Sequence, residues 1–274
     1  VLQNQVILDR LSAAVITGTL DLSHLKGVSD FESDNIDLEY LKELNLRNTE
    51  LQSVPKWIFQ CKNLEKLYLD SNDLVSIPES IGFFKKLNVL SIEENRLEKL
   101  PDNITLLPGL RFLYIGSNQL TSLPDGLGKL NQLEDISIHN NPLSMIPGSI
   151  CQLSKLRELT ILDTHLSKLP DEFFDMHGLR SLDLRFNKFE IFQDEFGRMT
   201  QLEVLVLAEN QITKIPDSIG RMTGLCELSL YDNRIDELPS TIGNLKRLKA
   251  LHIDDNPIQK LPVELTTLSE LECL

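Results

Sequence analysis

A 23-residue period runs through most of this chain and leaves few folds open to it. Repeats begin at Leu41, Leu64, Leu87, Leu110, Leu133, Leu156, Leu179, Leu202, Leu225 and Leu248, without insertion or deletion from 41 to 270. Within a unit, positions 1, 4, 6, 11, 14, 18 and 21 are apolar in all ten copies. The copy at 64 reads Leu64, Leu67, Leu69, Leu74, Ile77, Ile81 and Phe84. Leucine alone supplies 53 of the 274 residues. Positions 4 and 6 alternate with positions 3, 5 and 7, the period-two signature of a strand with one buried face. So short a strand cannot bury its leucines alone. Stacked copies of equal length bury them against one another and keep the strands in register. The pattern predicts an α/β solenoid: one parallel sheet on the concave side, with strands centred on positions 4 to 6, and short helical, 3-10 or turn segments on the convex side.

Two further positions carry backbone chemistry. Position 9 is Asn in eight copies: Asn72, Asn95, Asn118, Asn141, Asn187, Asn210, Asn233 and Asn256. The strand ends there and leaves backbone groups that no sheet pairs. A carboxamide brings two donors and an acceptor to them. Thr49 and Thr164 stand in twice and offer fewer groups, so the ladder is expected to be weaker there. Position 15 is Pro in nine copies and Gln193 in the tenth, and proline suits the first turn of a short helix. The copy with Gln193 also carries Phe186, Phe189, Phe192 and Phe196, just after Phe173 and Phe174. Phe189, Phe192 and Phe196 occupy core positions and read as a bulkier core. Phe186 sits at position 8, which faces solvent.

The pattern LxxLxLxxNxLxxLPxxIxxLxx resembles the leucine-rich repeat. Its LPxxIxxL segment is similar to that of the Ras-group intracellular leucine-rich proteins, such as Scribble-type scaffolds and their plant relatives. It is also similar to repeats of bacterial proteins, spirochaete proteins and secreted effectors among them. These resemblances imply a protein-recognition module without catalysis of its own. Residues 1–40 read as a capping helix, with Leu2, Val6, Ile7, Leu11 and Val15 as its apolar stripe, followed by a degenerate first repeat around Leu20 and Leu22. Residues 271–274 begin an eleventh repeat, whose uncapped edge reads as the mark of a fragment.

Several function classes are disfavoured. The formal net charge of −14 supplies no basic face for releasing phosphate counterions, so nucleic acid is not an expected partner. No apolar run reaches the length of a membrane span. No phosphate-binding, dinucleotide, zinc-protease or nucleophile-elbow motif occurs, and no cofactor is expected. Cys61, Cys151, Cys226 and Cys273 are scattered singly, which argues against zinc and for a reducing compartment or a bacterial protein. Cys61 reads as a core residue. His139 and His252 fall five repeats apart, roughly 24 Å at strand spacing, too far to share a metal. Paired carboxylates such as Glu93–Glu94 read as a solvated face and not as acid/base machinery.

Binding is expected on the concave sheet. Positions 3, 5, 7 and 8 are its 40 outward places; 13 are acidic and only Arg47, Lys66 and Arg185 are basic. A basic protein partner fits that balance. A less charged centre combines Phe112, Tyr114, His139, Leu162, Phe186 and Val206, and large exposed apolar groups on a polar sheet mark interaction sites. Glu93, Asp163, Arg185, Glu209, Tyr231 and Asp232 surround it as orienting groups. Gly116 and Ala208, both at position 7, are expected to leave the surface low on either side. The expected protein is a monomeric, cytoplasmic interaction module. The alternatives are a secreted or surface bacterial protein that recognises a host molecule, and the recognition arm of a larger GTPase, kinase or ubiquitin ligase.

Overall fold

A computed structural model describes residues 2–31 and 36–274. The expected degenerate repeat thus falls partly outside the described residues. The chain divides into two compact units, Val1–Asn141 and Pro142–Leu274. The division falls inside the repeat that begins at Leu133, within a run that the period alone reads as uninterrupted.

The first unit opens with helix α1, Leu2–Thr17. Among its residues whose side chains are described, from Gln5 on and so without the expected Leu2, the buried ones are Ile7, Leu11 and Ala14, the i, i+4, i+7 spacing of one helix face. The stripe expected from the sequence is corrected here, because Val6 and Val15 are exposed. Gly18, at φ 72°, ends the helix in the left-handed region that costs glycine nothing. Strands β1 (Thr19–Asp21), β2 (Glu43–Asn45), β3 (Lys66–Tyr68), β4 (Val89–Ser91), β5 (Phe112–Tyr114) and β6 (Asp135–Ser137) follow. Each pairs in parallel with the next, and Leu44 stands opposite Leu67, one period on. The second unit repeats the arrangement with β7 (Glu158–Thr160), β8 (Ser181–Asp183), β9 (Val204–Val206), β10 (Glu227–Ser229) and β11 (Ala250–His252). Opposite the strands, short 3-10 turns such as Glu79–Phe83 and Asp217–Arg221 start directly after the position-15 prolines. Where Gln193 replaces proline, its amide accepts from Leu169 N and donates to Leu169 O, tying the turn to the preceding repeat.

The strands cover positions 3 to 5, one residue earlier than the expected 4 to 6. The reason lies at position 8. All ten of its residues, from Asn48 to Asp255, take positive φ between 48° and 54°. Eight of them still bond the next repeat through N–H, as Ser71 N does to Glu93 O, but the left-handed turn ends the extended ladder. The position-9 amides then gather the carbonyls so freed. Asn118 Nδ2 donates to Ile92, Ile115 and Gly116 oxygens, and its Oδ1 accepts from Leu97 N. Thr49 Oγ1 reaches one carbonyl, that of Leu46, and Asn72 Oδ1.

Burial follows the period closely. Of the 70 apolar positions, only Ile253, Ile258 and Leu261 of the repeat at Leu248 are not buried. Cys61 is among the buried ones, and burial pushes its thiol up to about 12. The inward positions are thereby consumed by packing, and the outward side chains of the strands stay accessible.

Candidate binding face

Within each unit the position-7 residues form a row along the outer face, neighbours in the row lying 23 residues apart in sequence. In the first unit the row reads Arg47, Asp70, Glu93, Gly116 and His139. Asp70 is 7% exposed. Its carboxylate accepts from Arg47 Nε and Ser91 Oγ, both at 2.5 Å, and from Glu93 N at 2.8 Å. Arg47 also stacks over the Tyr68 ring, 4.2 Å from its centroid. This buried carboxylate escaped the sequence reading, although the opposite charges at an offset of 23 were its visible signal.

Next along the row, His139 Nδ1 lies 3.7 Å from Glu93 Oε1 and 2.9 Å from Ser137 Oγ. It reaches Glu93 across an intervening strand because Gly116 has no side chain. A Cβ at Gly116 would stand 2.0 Å from His139 Cε1. Gly116 therefore leaves no low surface: the imidazole lies over it, which corrects the expectation of a hollow there. Partial burial raises the Glu93 pKa above the ordinary carboxylate value, while His139 pulls it back down. Replacing Gly116 with alanine is expected to evict the ring. The His139–Ser137 bond, worth about 0.5–1.5 kcal/mol, would be lost, with new ring chemical shifts for His139 in carbon–proton correlation spectra. Unchanged shifts would mean that the ring does not occupy the Gly116 gap.

Of the other expected contact residues in this unit, Phe112 is half-buried beneath the Arg111 guanidinium, 5.2 Å from its ring centroid. Tyr114 is half-buried and donates its hydroxyl to Asp135 Oδ2 at 2.9 Å. Its ring is thus held in place before any partner arrives.

In the second unit, Leu162 is half-buried and Asp163 exposed. Arg185 is fastened to Asp183, with Nη2 2.6 Å from Oδ2, and this bond raises its pKa. Phe186 is 46% exposed at φ 54°. Nine equivalents elsewhere are Asn, Ser, Asp or Glu, and an aromatic residue is uncommon in the left-handed region. Glu209 is half-buried, Asp232 exposed and Tyr231 36% exposed. Ala208, 3% exposed, does leave a low point. It belongs to a basin of about 410 Å³ lined by Arg185, Val206, Glu209, Glu227, Ser229, Tyr231, His252 and Asp254.

The three bases among the 40 outward positions are each engaged by an acid: Arg47 by Asp70, Lys66 by Glu43 and Arg185 by Asp183. Among the described residues no group of three or more His, Cys, Asp or Glu is arranged to hold a metal ion, and no helix is long and apolar enough to cross a membrane.

Sequence profiles of the leucine-rich repeat match residues 62–120, 85–143, 108–166 and 224–245, and a leucine-rich repeat region profile matches 146–233. The chain belongs to the leucine-rich repeat family. As a leucine-rich repeat solenoid it is similar to a protein of Leptospira interrogans, at 38% identity and a TM-score of 0.85, over 86% of this chain and 60% of that one. It is also similar to the ectodomain of the receptor kinase GASSHO1/SCHENGEN3 of Arabidopsis thaliana, solved with CASPARIAN STRIP INTEGRITY FACTOR 2. There identity is 26% and the TM-score 0.73, over 86% of this chain and 32% of that one. The plant peptide hormone receptor RGFR1, solved with RGF2, shares 28% identity at a TM-score of 0.73, over 93% and 47%. The chain thus spans less than two thirds of each of these proteins. No curated protein sequence matches it.

Proposed function

We propose that this leucine-rich repeat protein is a monomeric, non-catalytic recognition module that binds a basic protein partner on the outer face of its strands. The observation that carries the reading is Phe186. Its ring is exposed, and its backbone holds a conformation that favours small polar residues. The fold obtains nothing from a phenylalanine at this place, and strain of this kind collects at functional positions. The charge balance supports a basic partner, because every outward base is already paired and most of the acids are not. Phe112, Tyr114, His139 and Glu93 contribute from the first unit, and Leu162, Asp163, Arg185, Glu209, Tyr231 and Asp232 from the second.

Likeness to two plant receptor ectodomains solved with their partners supports protein recognition. The identity to the Leptospira protein favours the bacterial alternative over a Scribble-type scaffold.

The test uses a photo-crosslinking amino acid at position 186, with Lys86 on the opposite side as the control position, followed by kinetic binding of the recovered partner. Phe186→Asn is the decisive variant. It is expected to weaken binding at least about tenfold, as truncated anchors do, while leaving the melting temperature unchanged or higher. Tyr114→Ala is expected to weaken binding similarly. Glu93→Lys is expected to slow association and flatten its salt dependence. If Phe186→Asn and Tyr114→Ala bind as the parent does while Lys86→Ala does not, the site is on the other face.

A further inference from the structure

The basin over Ala208 has a shape and a charge that the general reading does not use. Position 7 carries Arg185 in one neighbouring repeat and Tyr231 in the other, so the small Ala208 side chain sits between two long ones. These walls are two strand spacings apart, roughly 10 Å, which is the width of one side chain with its contact margins. Val206, Ala208 and Ser229 make the floor, and Glu209, Glu227 and Asp254 stand around it. None of these three carboxylates forms an ion pair with a basic side chain among the described residues. Arg185 is hydrogen-bonded to Asp183 and acts on Glu209 and Glu227 only through space, so one bound cation's worth of contacts to these carboxylates is still open. Partial desolvation and then Asp232 raise the Glu209 pKa, and Arg185 lowers it only in part. Tyr231 is surrounded by Asp255, Glu209, Asp232 and Asp254, which raise its pKa too. A planar cation that stacks on Tyr231 and forks between carboxylates would answer every one of these features. Arginine is that cation; an ammonium group lacks the plane and the fork.

We propose that this basin is an arginine-binding pocket, filled by one arginine of an extended segment of the partner. The proposal rests on the outer face being the recognition face, and it names the group recognised there. At about 410 Å³ the basin lies toward the small end of ligand-sized clefts, which run to about 1,000 Å³. That is ample for one arginine side chain.

The probe is a blocked Gly-Arg-Gly tripeptide, compared with Gly-Lys-Gly and with Gly-citrulline-Gly, titrated into the whole chain and followed by amide chemical shifts. Saturable shifts are expected at residues 206–209 and 229–231 with the arginine peptide, several-fold weaker binding with lysine, and none with citrulline. Ala208→Phe fills the basin without changing charge, and Tyr231→Leu removes the stacking face while keeping bulk. Each is expected to weaken the arginine peptide at least about fivefold. Glu209→Gln is expected to weaken it as well, whereas Glu237→Gln, the same charge change in a different groove, should leave affinity within twofold. Equal weakening by Glu209→Gln and Glu237→Gln, or equal affinity for lysine and arginine, overturns the proposal. Phe186→Asn separates the two readings, because Phe186 does not line the basin. If it lowers partner affinity while Ala208→Phe and Tyr231→Leu do not, the pocket is wrong and the recognition face stands. If none of the three lowers it, the face itself is wrong.

Discussion

Phe196→Ala is expected to cost about 3–5 kcal/mol, the range for deleting a fully buried ring that leaves a cavity behind. The ring is 0% exposed and is the hub of the aromatic cluster in the second unit. It meets Phe174 edge-on at 5.0 Å between centroids and Phe192 at 4.8 Å. Each such pair contributes about 0.5–1.5 kcal/mol beyond its burial, and neither partner can follow the backbone into the void. Repeats depend on their nearest neighbours. Hydrogen exchange is therefore expected to quicken first in the repeats at Leu156 and Leu179, before the rest of the second unit. Ile191→Ala in the same repeat removes a side chain 71% exposed and should cost less than about 0.5 kcal/mol. Similar urea midpoint shifts for the two variants would show that the cluster is not a packed core.

The second large effect is expected at the asparagine ladder. Asn141 is 3% exposed. Its Nδ2 donates to the Ile115, Ile138 and His139 carbonyls at 3.0–3.1 Å, and its Oδ1 accepts from Leu120 N at 2.9 Å. Alanine would strand buried groups in two repeats at once, with an expected loss of about 1–3 kcal/mol. The comparison needs care, since Ser137, the obvious blank by sequence position, bonds His139. Ser122, exposed on the far side of the strand, is the better control and should cost less than about 0.5 kcal/mol. A urea midpoint for Asn141→Ala equal to that of Ser122→Ala would sink the ladder as a source of stability.

Phe196 and Asn141 both occupy repeat positions whose roles follow from the period, so their burial was legible before any coordinates. Phe186 was legible as an oddity, an aromatic ring where the repeat turns outward, but its left-handed backbone was not. The stripe on α1 was half read: Ile7 and Leu11 are buried, while Val6 and Val15 are exposed and Ala14 takes the remaining inward place. A helix of mixed apolar residues admits more than one face, and only the surface it packs against chooses.

The candidate site was harder to read, because recognition depends on side chains that meet across repeats. An offset of 23 places Arg47 beside Asp70, a pair that the charges would have allowed but the sequence reading passed over. Nothing in the order of residues says that His139 would lie over Gly116 to reach Glu93, or that Ala208 would stay open between Arg185 and Tyr231. Both gaps have a small residue at position 7; His139 lies over Gly116 toward Glu93, whereas Arg185 beside Ala208 turns to Asp183. A strictly periodic apolar pattern thus determined the strands, their parallel order, the buried positions and the face left over for a partner, since burial and backbone pairing act identically in every copy. Which outward side chains close on each other, and which leave a basin, was decided only in the folded stack. There the energies are those of single contacts between neighbours, and a one-dimensional period does not contain them.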